Sequence, residues 1–543
     1  MKSILLFTSL LIAAEALNAQ SVQEGNQLFY YERYQSAENS FHNVLKQQPD
    51  NAEAWYGLTK SYLAEDKVAK AADSLHLAPA GIYEQPFYEV AYGAVLLDEN
   101  KKDSAAIYFN KALKQTKEKD ENILGAVALA HVQSKNGDAN YAVELTSKAI
   151  KRDKKNAAWN ALLGDAYRKV NNGSEAYKAY KEALEKNESY AEAYHKIGEI
   201  FLTQKNAELY VDYFSKAIAA DANYAPSLYQ LYTYYFYKDV PKAFDYYRQY
   251  VAKADASIQN DYDLTDLLYL NKEYDKAIQK ANALMASQGK DLKPRIYKLL
   301  AYSYGEKKDS AQAVSYMQQY FRNEQDSNLI AKDFETMAGL YSVLPGKEDS
   351  ALAFYEKAAS LQKDSTALYK YYKNLAALAK SKKDYAQQAQ WLNKYYAGND
   401  DATNVDLFNW GLAYFLSQDY KMADSVFGLY VAKYPEQSFG YYWQARSNAS
   451  LDKEMANGTA IPYYQKLVEV MQKDTANTNF KKWMVEAYGY LAAYKANTEK
   501  NYPEAVGYFQ KVLEVDPANA DAKRYIEILQ KDNSKESSDV GSK

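Results

Sequence analysis

The sequence predicts an all-α solenoid, in which helix–turn–helix units stack one on the next. Three observations predict it. An alanine returns to the same slot at Ala37, Ala71, Ala105, Ala142, Ala176, Ala243, Ala277, Ala313, Ala351, Ala423, Ala460 and Ala505, often at a step of 34 residues, as from Ala37 to Ala71 to Ala105. Apolar residues flank each alanine at helical spacing. Glycine and proline are sparse, at 21 and 11 of 543 residues, which suits helices joined by short turns. One core rarely serves a chain this long, and a solenoid avoids that limit because each unit packs only on its neighbours.

Each unit opens with a helix A. One copy reads Asn160, Leu163, Gly164, Tyr167; others read Tyr194, Ile197, Gly198, Phe201 and Leu407, Trp410, Gly411, Tyr414. The spacing i, i+3, i+4, i+7 lies on one helical face. A glycine inside a helix costs about 1 kcal/mol against alanine. Its return to one slot therefore predicts close packing, with the helix A glycine and the helix B alanine letting the two helices touch. Helix B carries the recurring alanine. Four residues on comes a large or apolar side chain: Phe41, Leu75, Phe109, Tyr180, Tyr247, Met317, Tyr355, Phe427, Tyr464 and Phe509. Seven on comes another apolar residue, often small, as at Val44, Ala112, Ala149 and Ala183. Pro49, Pro435 and Pro517 follow helix B, where a helix cannot continue.

This pattern resembles the tetratricopeptide repeat. Residues 157–190 carry its slots at Leu163, Gly164, Tyr167, Ala176, Tyr180 and Ala183, and residues 404–437 at Gly411, Tyr414, Tyr420, Ala423, Phe427 and Pro435. About fourteen copies are legible between roughly 21 and 518, and the resemblance implies a right-handed superhelix. Tyr210 and Gln388 stand where alanine is expected, and long spacers fall around Ser450–Gly458 and Ala496–Pro503. The array is expected to be least regular there. An amphipathic helix over 519–530, with Ala522, Tyr525, Ile526 and Leu529 on one side, is expected to cap the last repeat. The Ser-, Lys- and Asp-rich residues 531–543 read as a disordered tail.

Composition narrows the function. Net charge is −4 from 66 basic and 70 acidic residues, which are intermixed, so nucleic-acid binding is not expected. With no cysteine there is neither a disulfide nor a lipid-modified cysteine. Residues 1–19 read as an export signal: Lys2, an apolar run from Ile4 to Ala14, and cleavage after Ala19. This predicts the periplasm or exterior of a Gram-negative bacterium. No later run is long and apolar enough for a transmembrane helix. The four histidines, His42, His76, His131 and His195, fall in separate repeats without metal-ligand spacing. Gly346-Lys347 is followed by Glu348, not the Ser or Thr of a phosphate loop, and no nucleophile elbow occurs. No enzyme activity, metal or cofactor is expected.

The resemblance implies that helix A lines the concave side. Residues one helical step from the core then face a groove, at about the second, fifth, ninth and twelfth positions of helix A. Counting places Tyr229, Phe236, Phe408, Phe415, Tyr442 and Arg446 there, and other copies add Arg168, His195 and Tyr302. These nine are the candidate binding residues. Lys370 and Lys373 face the same way, but one copy does not make a carboxylate clamp. The expected function is a non-enzymatic protein–protein interaction scaffold of the envelope, holding a peptide segment or partner domain. The alternatives are a glycan or small-ligand carrier, whose rings would gather with Asp and Asn at one spot, and a structural subunit of an outer-membrane or secretion assembly. Tyrosine, at 56 residues, is abundant enough to serve core and groove alike.

Overall fold

A computed structural model describes residues 22–473 and 477–540, with side chains as far as Lys531. The expected export signal at 1–19 lies outside the described residues. Among those described, 29 α-helices pack in consecutive pairs as about 14 repeats, so the expected all-α array is what forms. The chain divides into two compact units, Met1–Lys290 and Asp291–Lys543.

The recurring alanine sits where its period places it. All twelve are no more than 1% exposed, and the large residues four positions on are buried as well. The partner of the helix A glycine differs from the expectation. A Cβ at Gly93 would lie 2.7 Å from the Phe109 ring, at Gly198 2.6 Å from Phe214, and at Gly411 2.8 Å from Phe427. At Gly164 it would collide with the Tyr180 ring. The glycine therefore accommodates the ring four residues after the alanine, not the alanine itself. A side chain there would occupy space the ring already fills, and interiors are packed too closely to share it.

The turn from helix A to helix B repeats as strictly as the alanine. Glu32, Asp66, Asn100, Asn171, Lys205, Lys272, Lys308, Lys383, Gln418 and Lys500 all have φ between 57° and 68°. Each lies five residues before the alanine slot. In nine of these ten the next residue's N–H bonds back to a carbonyl five residues upstream, as in Asn172 to Tyr167 at 2.9 Å and Asp419 to Tyr414 at 3.0 Å. This is the Schellman end of helix A. That next residue often caps helix B: Asn172, Asn206, Asp309, Asp384, Asp419 and Asn501 accept from backbone N–H groups of the first turn. One three-residue turn thus ends one helix and starts the next.

Tyr210 is only half-buried in the alanine slot, packed between Phe214 and Tyr234. Gln388 is buried beside Ala389. The spacer around Ser450–Gly458 is a loop between helices Ser438–Leu451 and Ile461–Met471. The other extra length falls earlier than Ala496–Pro503. It lies in the long helix Phe480–Asn497, of 18 residues, and in the segment that precedes it. The last helix runs Ala520–Val540, so its backbone continues through most of the segment expected as a tail. Ala522 and Leu529 are buried against the final repeat, as a cap requires.

Candidate functional site

In the first unit the A helices turn one face toward a common open cavity of about 850 Å³. Most of the lining follows the counted phase, with Ala126, Trp159, Leu162 and Lys196 added from adjacent positions. Helix Ala52–Ala64 contributes Glu53, Tyr56 and Lys60, its second, fifth and ninth residues. Helix Glu121–Gln133 contributes Asn122, Gly125, Leu129 and Val132, the second, fifth, ninth and twelfth. Helix Ala157–Lys169 contributes Ala158, Asp165 and Arg168, and helix Ala191–Thr203 contributes Glu192. Phe29, Tyr30 and Tyr34 of the first repeat complete the wall. The core consumes the i, i+3, i+4, i+7 face of each helix, which leaves this adjacent stripe for the cavity.

The wall mixes rings with charges. The Lys60 ammonium donates to Asn26 Oδ1 at 2.8 Å and lies 4.3 Å from the centre of the Phe29 ring. Burial pushes its pKa down to about 8, with Glu53 opposing. Glu192 accepts from the Tyr190 hydroxyl at 2.8 Å. Burial first, and the Asp165 carboxylate second, push the Glu192 pKa up to about 7 against the pull of Lys196. Burial likewise raises Asp165, which accepts from the Tyr180 hydroxyl at 2.6 Å. At Glu199 burial acts upward too, but His195, Lys196 and Arg168 outweigh it and hold the carboxyl well below its usual range. Lys169 is occupied: its ammonium donates to the carbonyls of His131 at 2.8 Å and Val132 at 2.9 Å, closing the end of that helix.

Of the nine residues counted out from the sequence, Arg168 lines this cavity, ion-paired with Glu199. His195 does not face a groove. It is 3% exposed, bonded through Nδ1 to Ser227 Oγ at 2.9 Å and packed on the Phe214 and Tyr224 rings. The neighbouring helix covers its position. Tyr229 is 37% exposed and rests on Tyr232 and Tyr250. Phe236 is half-buried between Tyr232 and Tyr237. Tyr302 is half-buried near Lys298.

The remaining four come together in the second unit. Phe408 and Phe415 are half-buried edge-on to Trp443, at 6.4 and 4.9 Å. Arg446 spans the Phe415, Tyr442 and Trp443 rings at 5.2–5.6 Å and reaches Glu486 at 3.5 Å. Tyr442 is a core residue, not a groove residue. It is 2% exposed and stacked on Trp483 at 4.1 Å, because the long helix Phe480–Asn497 folds over its position. Lys370 pairs with Glu335 and Lys373 with Asp406, so both cations are neutralised within the array.

The counting rule also finds what the nine omitted. Tyr56 and Lys60 hold the same helix positions in a repeat that supplied none of the nine, and Asp165 and Glu192 hold them on the helices of Arg168 and His195. Among the described residues, no three His, Cys, Asp or Glu are placed to hold a metal ion, and no helix is long and apolar enough to cross a membrane.

Two stretches match family models: residues 28–84 a tetratricopeptide repeat and residues 164–205 a TPR repeat. No curated protein matches the chain in sequence. Among solved structures, the C-terminal part of a TPR repeat-containing protein from Cytophaga hutchinsonii is 26% identical, with 48% of this chain and 98% of that chain covered and a TM-score of 0.33. Yeast Tom70 is 14% identical over 75% of this chain and 97% of that one, with a TM-score of 0.29. The APC/C hetero-tetramer Cut9-Hcn1 is 14% identical over 93% and 95%, with a TM-score of 0.25.

Proposed function

We propose that this chain, a tetratricopeptide-repeat protein, is an exported scaffold that holds a peptide segment of a partner protein in the cavity of its first unit. The observation that carries the reading is the wall itself. Rings at Phe29, Tyr34, Tyr56 and Trp159 stand among Glu53, Lys60, Asp165 and Glu192, drawn from the first, second, fifth and sixth repeats. Rigid rings supply contact area at small entropic cost, and the charged groups select the side chains between them. The chemistry is reversible contact without a covalent step. Export to the bacterial envelope is supported by the charged start, apolar run and small residues up to Ala19.

A photo-crosslinking residue in place of Tyr56 tests the binding reading, with the exposed Tyr237 as control. Crosslinks to one partner at 56 and not at 237 are expected. Crosslinks at 237 alone would move the site out of the cavity. Cell fractionation with N-terminal sequencing tests export; a mature chain starting at Gln20 is expected.

One observation favours a second reading. Asn26, Asn122, Asn156 and Asp165 stand among the rings of the same cavity, as a glycan site requires. Saturable binding of oligosaccharides, abolished by Tyr56→Ala and Asn122→Ala, with no crosslinked protein at 56, would establish it instead.

A further inference from the structure

The first repeat of the first unit is tied to residues far along the chain. In many repeats the residue opening helix B is Asn or Asp and caps that helix itself. The first repeat has Arg33 there, a side chain with no acceptor, and helix Tyr34–Gln47 gets no cap from it. The cap comes from Asp255. Its carboxylate accepts the Ser36 backbone N–H at 3.1 Å and the Ser36 hydroxyl at 2.5 Å, while Arg33 Nε lies 3.4 Å away. The exchange runs both ways. Helix Ala191–Thr203 gets no side-chain bond from its own cap residue, Tyr190. The Tyr30 hydroxyl accepts the Glu192 backbone N–H at 3.3 Å instead. Tyr31 donates to Asp221 at 2.8 Å, and the Tyr30 ring meets Tyr190 and Tyr224 at 5.4 Å each.

Tyr30 and Tyr34 on one side of this seam, and Tyr190 and Glu192 on the other, also line the cavity. The seam is therefore part of its wall. We infer that the seam is a clasp, and that its opening widens the cavity to admit a peptide-sized ligand. The inference rests on the reading of the cavity as a binding site. The seam is suited to opening. It is built of hydrogen bonds, one ion pair and a small apolar patch in which Tyr30 and Tyr31 pack on Tyr224, Ala191 and Ala217, whereas neighbouring repeats are locked by a far larger buried cluster that includes Phe41, which fills the space beside both Gly25 and Gly57. In a solenoid each unit contacts only its neighbours, so small rotations summed over the intervening repeats part the seam without breaking a repeat. Arg33 also donates to the Ser36 hydroxyl at 3.2 Å, and so ties its own helix into the clasp.

The chain has no cysteine, so introduced thiols report alone. Spin labels on Gln35→Cys and Ala256→Cys, both exposed beside the seam, read its width by pulsed electron resonance. The parent is expected to show one short distance. Asp255→Ala with Tyr31→Phe should add a longer population, and Asp255→Asn, which can still accept from Ser36, a smaller one. Separately, a lone Tyr56→Cys is labelled with a maleimide carrying a ten-residue peptide and with N-ethylmaleimide. Opening the clasp should speed the peptide reagent by about tenfold, the scale of one lost cap, and leave the small reagent unchanged. Helicity at 222 nm, kept in the variants, separates opening from unfolding. Unchanged distances and unchanged labelling in both variants would overturn the clasp and leave the crosslinking test of the cavity untouched. A clasp that opens as expected, with no crosslinked partner at 56, would retain the hinge and overturn the binding role.

Discussion

Gly198→Ala should destabilise its repeat, although alanine is the better helix former. Removing a mid-helix glycine is worth about 1 kcal/mol in the helix itself. Against that, the added Cβ would sit 2.6 Å from the Phe214 ring. Comfortable carbon contacts begin near 3.5 Å, so the ring must retreat by about 1 Å. It has little room, since Phe214 is 1% exposed with His195 at 5.2 Å and Tyr210 at 6.0 Å. Overpacking of this kind costs about 1–3 kcal/mol, so the net effect is a loss of up to about 2 kcal/mol. Gly507→Ala is the internal control. It lies inside helix Tyr502–Val515 with no atom within 4 Å of an added Cβ, so the same change should gain about 1 kcal/mol. Repeat arrays need not unfold in one step, so the assay is local. Amide hydrogen exchange should accelerate across Ala191–Thr203 and Ala207–Ala220 in Gly198→Ala and slow across Tyr502–Val515 in Gly507→Ala. Combining Gly198→Ala with Phe214→Leu should recover most of the loss beyond that of Phe214→Leu alone. If Gly198→Ala protects its repeat as well as Gly507→Ala protects its own, the glycine is not there to seat the ring, and the packing argument is wrong.

Glu192→Gln should flatten the pH dependence of the first unit. Folding raises the Glu192 pKa from 4.5 to about 7, so between those values the unfolded chain has released a proton the folded chain still holds. The group's contribution to stability therefore falls as pH rises through that window and stays low above it, and glutamine should gain up to about 3 kcal/mol at pH 8 in urea titrations. Tyr442→Ala should cost the second unit about 3–5 kcal/mol in thermal unfolding, because it empties the stack on Trp483, while the half-exposed Arg446→Ala should cost less than about 1 kcal/mol. At one helix A–helix B turn, Asn206→Ala should cost about 1 kcal/mol by removing the cap on Leu209 N–H, and Lys205→Gly should gain up to about 1 kcal/mol by relieving φ of 58°; exchange rates across 200–220 measure both.

Much of this was legible without coordinates, because the repeat is a local code. The alanine marks the buried seam of helix B, and counting from the start of helix A locates the cavity stripe at Tyr56, Lys60, Asp165 and Arg168. Two kinds of feature were not legible. The turn residues at φ near 60° are Lys, Asn, Asp, Glu and Gln rather than glycine, so composition did not announce them. Whether a stripe residue is open or covered depends on the next helix, and counting could not tell Arg168 from His195 or Tyr442, which neighbouring helices bury.

The sequence by itself determined the period, the pairing of helices and the phase that separates core from stripe, since each depends on residues within about one repeat. Only the tertiary structure decided that residues 30–36 meet residues 190–255. That meeting follows from small rotations accumulated over many repeats, and no local pattern encodes their sum. It turns the stripe of the first unit into a walled cavity and gives Arg33 and Asp255 a purpose that neither has within its own repeat.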